Sequence, residues 1–185
     1  MFRKRPQDRR PRRPFNRTRF RLRQAHQMME AGAYLQAASI FEELARRAQQ
    51  LQVPRAPFLF VQAGRAFNLG KEIEKGLDLL RHGLLLLAEA ERWGELARVG
   101  GRVTTELKKQ GAASEAEKLT AWLERVLPRD VSPDKKGGVA RVGPRSLLPN
   151  HCPQCGGPVD AGTVTWQDAV TAECLYCGSA IRTEN

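Results

Sequence analysis

Apolar residues recur at helical spacing through the first two thirds of the chain. Tyr34, Ala37, Phe41, Leu44 and Ala48 stand at i, i+3, i+7, i+10 and i+14, one stripe of a helix. Phe60, Ala63 and Phe67 form a second stripe, Leu77, Leu80, Leu84 and Leu87 a third, and Ala116, Leu119, Leu123 and Val126 another. Leu85 and Leu86 widen the third stripe, as a helix buried on two sides requires. Ser114 and Glu117 offer a capping box to the last. After residue 150 the period changes from helical to alternating. TVTW (163–166) and AVTAE (169–173) are short and β-branched, with Gln167-Asp168 between them, and predict a β-hairpin. Val164 and Trp166 then share a face, as do Val170 and Ala172.

Glycine punctuates the helical stretch at regular intervals. Gly32 is followed by Ala37 and Phe41, and Gly111 by Ala116 and Thr120 at the same spacing. Gly70, with Gly76 and Leu80, repeats it one residue longer. Ala25 and Ala63 each lie seven residues before a glycine of the series. The offsets between the glycines are 38 and 41 residues. Three helix–turn–helix units follow: glycine permits the tight turn, a small residue lets two helices approach, and a larger one fills the gap. Four regions result: an Arg/Pro-rich disordered arm over 1–17, helical repeats over 18–127, a Pro/Gly-rich flexible linker over 128–150, and a cysteine-bearing module over 151–185.

The series Ala25, Gly32, Tyr34, Ala37, Phe41 and Leu44 resembles the tetratricopeptide repeat family. The likeness covers about 110 residues and is best in the first unit. Thr120 departs from it by standing where the family prefers an aromatic. The resemblance implies a mainly α chain, an α-solenoid of three units whose first helices line a concave, peptide-binding face. Carried over, that face holds His26, Met29, Phe60, Phe67, Thr105 and Lys108. Phe60 and Phe67 would be apolar anchors, unless they belong to the core, and Lys108 a charge for an acidic partner.

Charge sharpens this picture at the N-terminus. The formal net charge is +11, and residues 1–23 hold ten Arg and one Lys against Asp8 alone. The remainder is nearly balanced. Arg9, Arg10, Arg12, Arg13, Arg17 and Arg19 are therefore the candidate polyanion contacts, with RNA, DNA, an acidic protein or an anionic membrane surface as partner. No apolar run is long enough to cross a bilayer, and the start lacks the apolar core of a secretory signal. A soluble, cytoplasmic protein is expected.

All four cysteines lie in the last region, as Cys152-x2-Cys155-x18-Cys174-x2-Cys177, each pair followed by glycine. That spacing is a metal-site spacing, and four soft thiolates at tetrahedral corners suit one structural Zn²⁺. Cys-Pro-Gln-Cys-Gly and Cys-Leu-Tyr-Cys-Gly resemble the knuckles of the zinc-ribbon family. His151 reads as a solvated neighbour of the site. Trp166 and Tyr176 read as structural rather than as stacking platforms for bases. Histidines 26, 82 and 151 are scattered, and no metalloprotease, phosphate-loop or nucleophile-elbow motif is present. The expected function is non-enzymatic: a zinc-binding scaffold that holds a protein or peptide partner through its repeats. A nucleic-acid-binding accessory factor acting through the arm is the alternative.

Overall fold

Six helices follow one another: α1 Pro14–Glu30, α2 Tyr34–Gln50, α3 Ala56–Leu69, α4 Ile73–Glu89, α5 Trp93–Lys109 and α6 Ala113–Val126. Three short strands close the chain, β1 Thr165–Trp166, β2 Thr171–Glu173 and β3 Ala180–Arg182, in one antiparallel sheet of order β1-β2-β3. The computed structural model describes residues 14–129, 131, 148–162, 164–168 and 170–183. Most of the arm and of the linker therefore lie outside the described residues. Pro14 opens α1 instead of excluding helix up to residue 17, because a first-turn residue has no intrahelical partner for an N–H and proline's φ already suits the helix.

One turn type joins all six helices. Gly32, Gln52, Lys71, Glu91 and Gly111 each take a positive φ, between 51° and 82°. At each, the N–H of that residue bonds to the carbonyl three back, and the next N–H to the carbonyl five back. Gly32 N to Met29 O is 3.2 Å and Ala33 N to Met28 O 2.8 Å; the other four pairs match. These are Schellman closures, which satisfy the last carbonyls of one helix and reverse the chain into the next. Turns 32, 71 and 111 stand 39 and 40 residues apart, so the true repeat is more even than the glycines suggested. Gly70 keeps a negative φ; a Cβ there would collide with Leu35, and the left-handed turn falls to Lys71.

Small residues set how closely the helices approach. A Cβ on Gly64 of α3 would stand 2.6 Å from the Gly76 carbonyl oxygen of α4, so the two backbones touch there. Ala37, Ala63 and Ala116 are fully buried, as the repeat spacing required. Each helix packs mainly on its neighbours in sequence. Helix α4 is buried on two sides, with Leu79 and Leu86 against one core and Leu80, Leu84 and Leu87 in the other, but Leu85 faces outward and is 43% exposed. The capping box of α6 is not formed: Ala112 is the N-cap, without a side-chain bond, and Ser114 already lies inside the helix. The Schellman turn starts α6 too early for Ser114 to cap it.

Candidate metal centre

The two CxxC segments fold as matched knuckles. Cys152 N–H bonds to Gly157 O and Cys174 N–H to Ser179 O, both at 2.8 Å. Gly156 N–H returns to Cys152 O at 2.8 Å and Gly178 N–H to Cys174 O at 2.9 Å. Gly156 and Gly178 have φ of 77° and 67°, which a residue with a Cβ adopts only with strain. The turns aim further donors at sulfur: Gly157 N–H lies 3.4 Å from Cys155 Sγ, and Tyr176 N–H 3.4 Å from Cys174 Sγ. The hairpin between the knuckles brings them together. The expected hairpin forms with shorter strands, in which Thr165 pairs with Glu173 and Trp166 with Ala172. Strand β3, which was not predicted, pairs Ile181 with Ala172 and puts Ile181 in the same core as the four cysteines.

All four Sγ atoms lie within 4.8 Å of one another, in four buried residues. Cys152 and Cys177 sulfurs are 3.8 Å apart and those of Cys155 and Cys174 3.7 Å, and all four thiols are free. A tetrahedral ion with metal–sulfur bonds of about 2.3 Å requires sulfurs about 3.8 Å apart. The cage therefore fits a four-thiolate metal ion. Its protons are shared unequally. Cys152 is held far below the ordinary thiol range by hydrogen bonds from Cys155, Cys174 and Cys177, while Cys155 is held far above it, chiefly by Cys152. Cys177 is lowered as well, to about 7, and Cys174 is raised, so two of the thiols ionise more readily and two resist; a bound cation is what lets all four ionise. His151 is exposed, pairs with Pro158 through its backbone and lies 3.8 Å from Glu30, outside the cage.

The cysteine module is seated on the odd-numbered helices. The four cysteines and Ile181 share one hydrophobic core with Leu22, Ala25, Phe41 and Phe67. On α1, Arg19 donates to Pro153 O at 2.7 Å, and Arg23 lies directly beneath Gly156. His26 stands edge-on between Phe41, at 5.1 Å, and Tyr176, at 5.0 Å. Burial, then Arg65, pushes its pKa down to about 4, with Cys152 opposing and His151 assisting, so the ring is neutral at neutral pH. On α3, Phe58 meets Gly178, and the Arg65 guanidinium stands 5.8 Å from the Tyr176 ring centre. On α5, Arg98 pairs with Glu173. Arg19, Phe58 and Arg98 are 39 and 40 residues apart, as are Arg23, Gln62 and Arg102, and His26, Arg65 and Thr105. These equivalent positions, at i, i+4 and i+7 on each helix, make one continuous face.

Of the residues expected to line that face, only His26 lies under the module, and it is buried there. Phe60 and Phe67 are core residues, 1% and 4% exposed, because the face of α3 is turned to Phe58, Gln62 and Arg65. Phe60 instead packs on His82, edge to face at 4.5 Å. Met29 is half-buried against the core. Thr105 and Lys108 are exposed. Arg9, Arg10, Arg12 and Arg13 lie outside the described residues; Arg17 and Arg19 are exposed on α1. Sequence reading missed Arg23, Arg65, Arg98 and Arg102, which the 39- and 40-residue spacing would have aligned with His26 and its neighbours. No helix among the described residues is long and apolar enough to cross a membrane. Comparison with family models, with curated proteins and with solved structures found no match to this chain.

Proposed function

We propose that this is a non-enzymatic, zinc-binding interaction protein, in which a four-cysteine zinc ribbon and three tetratricopeptide-like units act as one partner-binding body. The observation that carries the reading is the seating of the cysteine cage on the shared face of α1, α3 and α5. Zinc suits the cage because four thiolates close its coordination shell and leave no open position for catalysis. With the metal bound, the cage carries two negative charges. Arg19 and Arg23 of α1, set against the first knuckle, complement them. The ribbon occupies most of the face that a peptide would take, so an outside partner meets what remains: the exposed end of α5, with Thr105 and Lys108, and the ribbon's outer surface. Elemental analysis should find one zinc per chain, and Cys174→Ser with Cys177→Ser should abolish it. Affinity purification should then recover a partner with the wild type that Lys108→Glu loses at unchanged melting temperature. Zinc content untouched by the double substitution, or capture indifferent to Lys108, argues against this function.

A second reading draws on the exposed Arg17, Arg19 and Phe20 of α1, which continue the arginine-rich arm; Phe20 is 67% exposed. Arginine beside an aromatic suits RNA or DNA. Binding of an oligonucleotide that weakens steeply with salt and is lost on deletion of residues 1–13 would favour it.

A further inference from the structure

Between α5 and the ribbon a cleft of about 70 Å³ stays open. Its helical wall includes Val61, Val99 and Val103, its ribbon wall Leu175 and Tyr176, and its charged lining is Arg65, Arg102 and the Glu106 carboxylate. Arg65 is satisfied within the fold. Its Nε and Nη2 donate to the two carboxylate oxygens of Glu106 at 2.6 and 2.7 Å, and its Nη1 to Gln62 Oε1 at 3.1 Å. Arg98, one turn before Arg102, is paired with Glu173. Arg102 makes no hydrogen bond or ion pair among the described residues. It is half-buried, beside apolar walls that lower the local dielectric and make an unpaired charge costly. Three guanidinium groups stand here against two carboxylates. Burial lowers the Arg102 pKa, and Arg65 and Arg98 add to the effect, with Glu173 and Glu106 opposing it.

We propose that Arg102 and this cleft form a binding site for a phosphate-type oxyanion, either free phosphate or the phosphate end of a larger molecule. The guanidinium fork matches two oxygens of such a group, and its remaining donors suit the third oxygen that a phosphate has and a carboxylate lacks. The cleft is small and open at its mouth, so anything esterified to the phosphate can extend out of it. Because Leu175 and Tyr176 form one wall, the bound anion ties the ribbon to α3 and α5.

The test uses the full-length, zinc-loaded chain at constant ionic strength and about pH 7.5, where phosphate is mostly dianionic. Inorganic phosphate, phenyl phosphate, acetate and chloride are titrated while the Arg102 Nε–H resonance and the melting temperature are followed. Phosphate is expected to give a saturable shift and a rise in melting temperature. Arg102→Lys should weaken binding about tenfold, and Arg102→Leu should abolish it. Arg102→Leu removes an unpaired charge, so it should fold and melt no lower than wild type in phosphate-free buffer. Phenyl phosphate binding at least as well as phosphate identifies the end of a larger molecule; weaker binding identifies the free ion. A response shared with chloride, acetate binding as tightly as phosphate, or a phosphate response that survives Arg102→Leu would overturn the site. Zinc content measured on the same samples separates its failure from failure of the zinc reading.

Discussion

Ala37 shows what a single side chain decides here. It is fully buried where α2 meets its neighbours, and its spacing from Gly32 and Phe41 marked it in the sequence. Ala37→Arg forces a long charged chain into that contact and should destabilise by about 3 kcal/mol or more; a melting curve superimposable on wild type would contradict the packing. The cysteines were legible for a similar reason, because metal chemistry demands particular residue types at fixed spacing. His26 was legible only as a position. Its neighbours, Phe41 and Tyr176, come from two distant segments, and no local pattern announces a neutral histidine clamped between them. His26→Arg should release the ribbon, read as increased hydrogen exchange in β2 and β3 with α4 to α6 unchanged. Uniform exchange across both regions would show that His26 matters to the whole fold and not to that contact.

At the scale of elements, the helices were readable from their stripes and the turns only in part. Gly32 and Gly111 advertise a left-handed residue, but Gln52, Lys71 and Glu91 take the same conformation with nothing in their chemistry to predict it. The 38- and 41-residue glycine offsets misplaced the second unit for that reason, and with it the face of α3. The turns also yield a paired prediction. Glu91→Gly removes left-handed strain of roughly 1–2 kcal/mol while adding freedom to the unfolded chain, for a net gain of about 0.5–1 kcal/mol. Gly111→Ala should lose about 1 kcal/mol. Chemical denaturation of both variants checks the signs, and a stabilising Gly111→Ala would refute the common turn. Strand β3 escaped notice because three residues, Ala180 to Arg182, are too few to show alternation. Its neighbour β2 carries Glu173, whose pairing with Arg98 can be reversed. Arg98→Glu should loosen the ribbon, and adding Glu173→Arg should restore most of the loss. Failure of the double variant to recover would mean the two side chains do not act as a pair.

For the whole molecule, composition and spacing separated a helical part from a cysteine part but left their union unseen. Contacts between residues more than a hundred positions apart, such as Arg19 with Pro153, leave no trace in local periodicity. Because the cage shares a core with α1, α2 and α3, a chelator that strips the proposed metal should expose those helices as well as the cysteine module. Hydrogen exchange should rise in α1 and α3 more than in α6, and exchange confined to residues 148–183 would show that the two parts stand independently. The cysteine module and the helices that seat it belong to one chain. Covalent connection keeps the module at a local concentration of about millimolar relative to its own seat. A competitor for the same face, present at about micromolar levels, must therefore bind the helices roughly a thousandfold more tightly than the ribbon does to displace half of it. Cutting the chain between the two parts at an inserted protease site removes that advantage and leaves the described contacts in place. The cut protein should hold together when concentrated, release its ribbon on dilution, and then yield the face to ligands that the intact chain turns away.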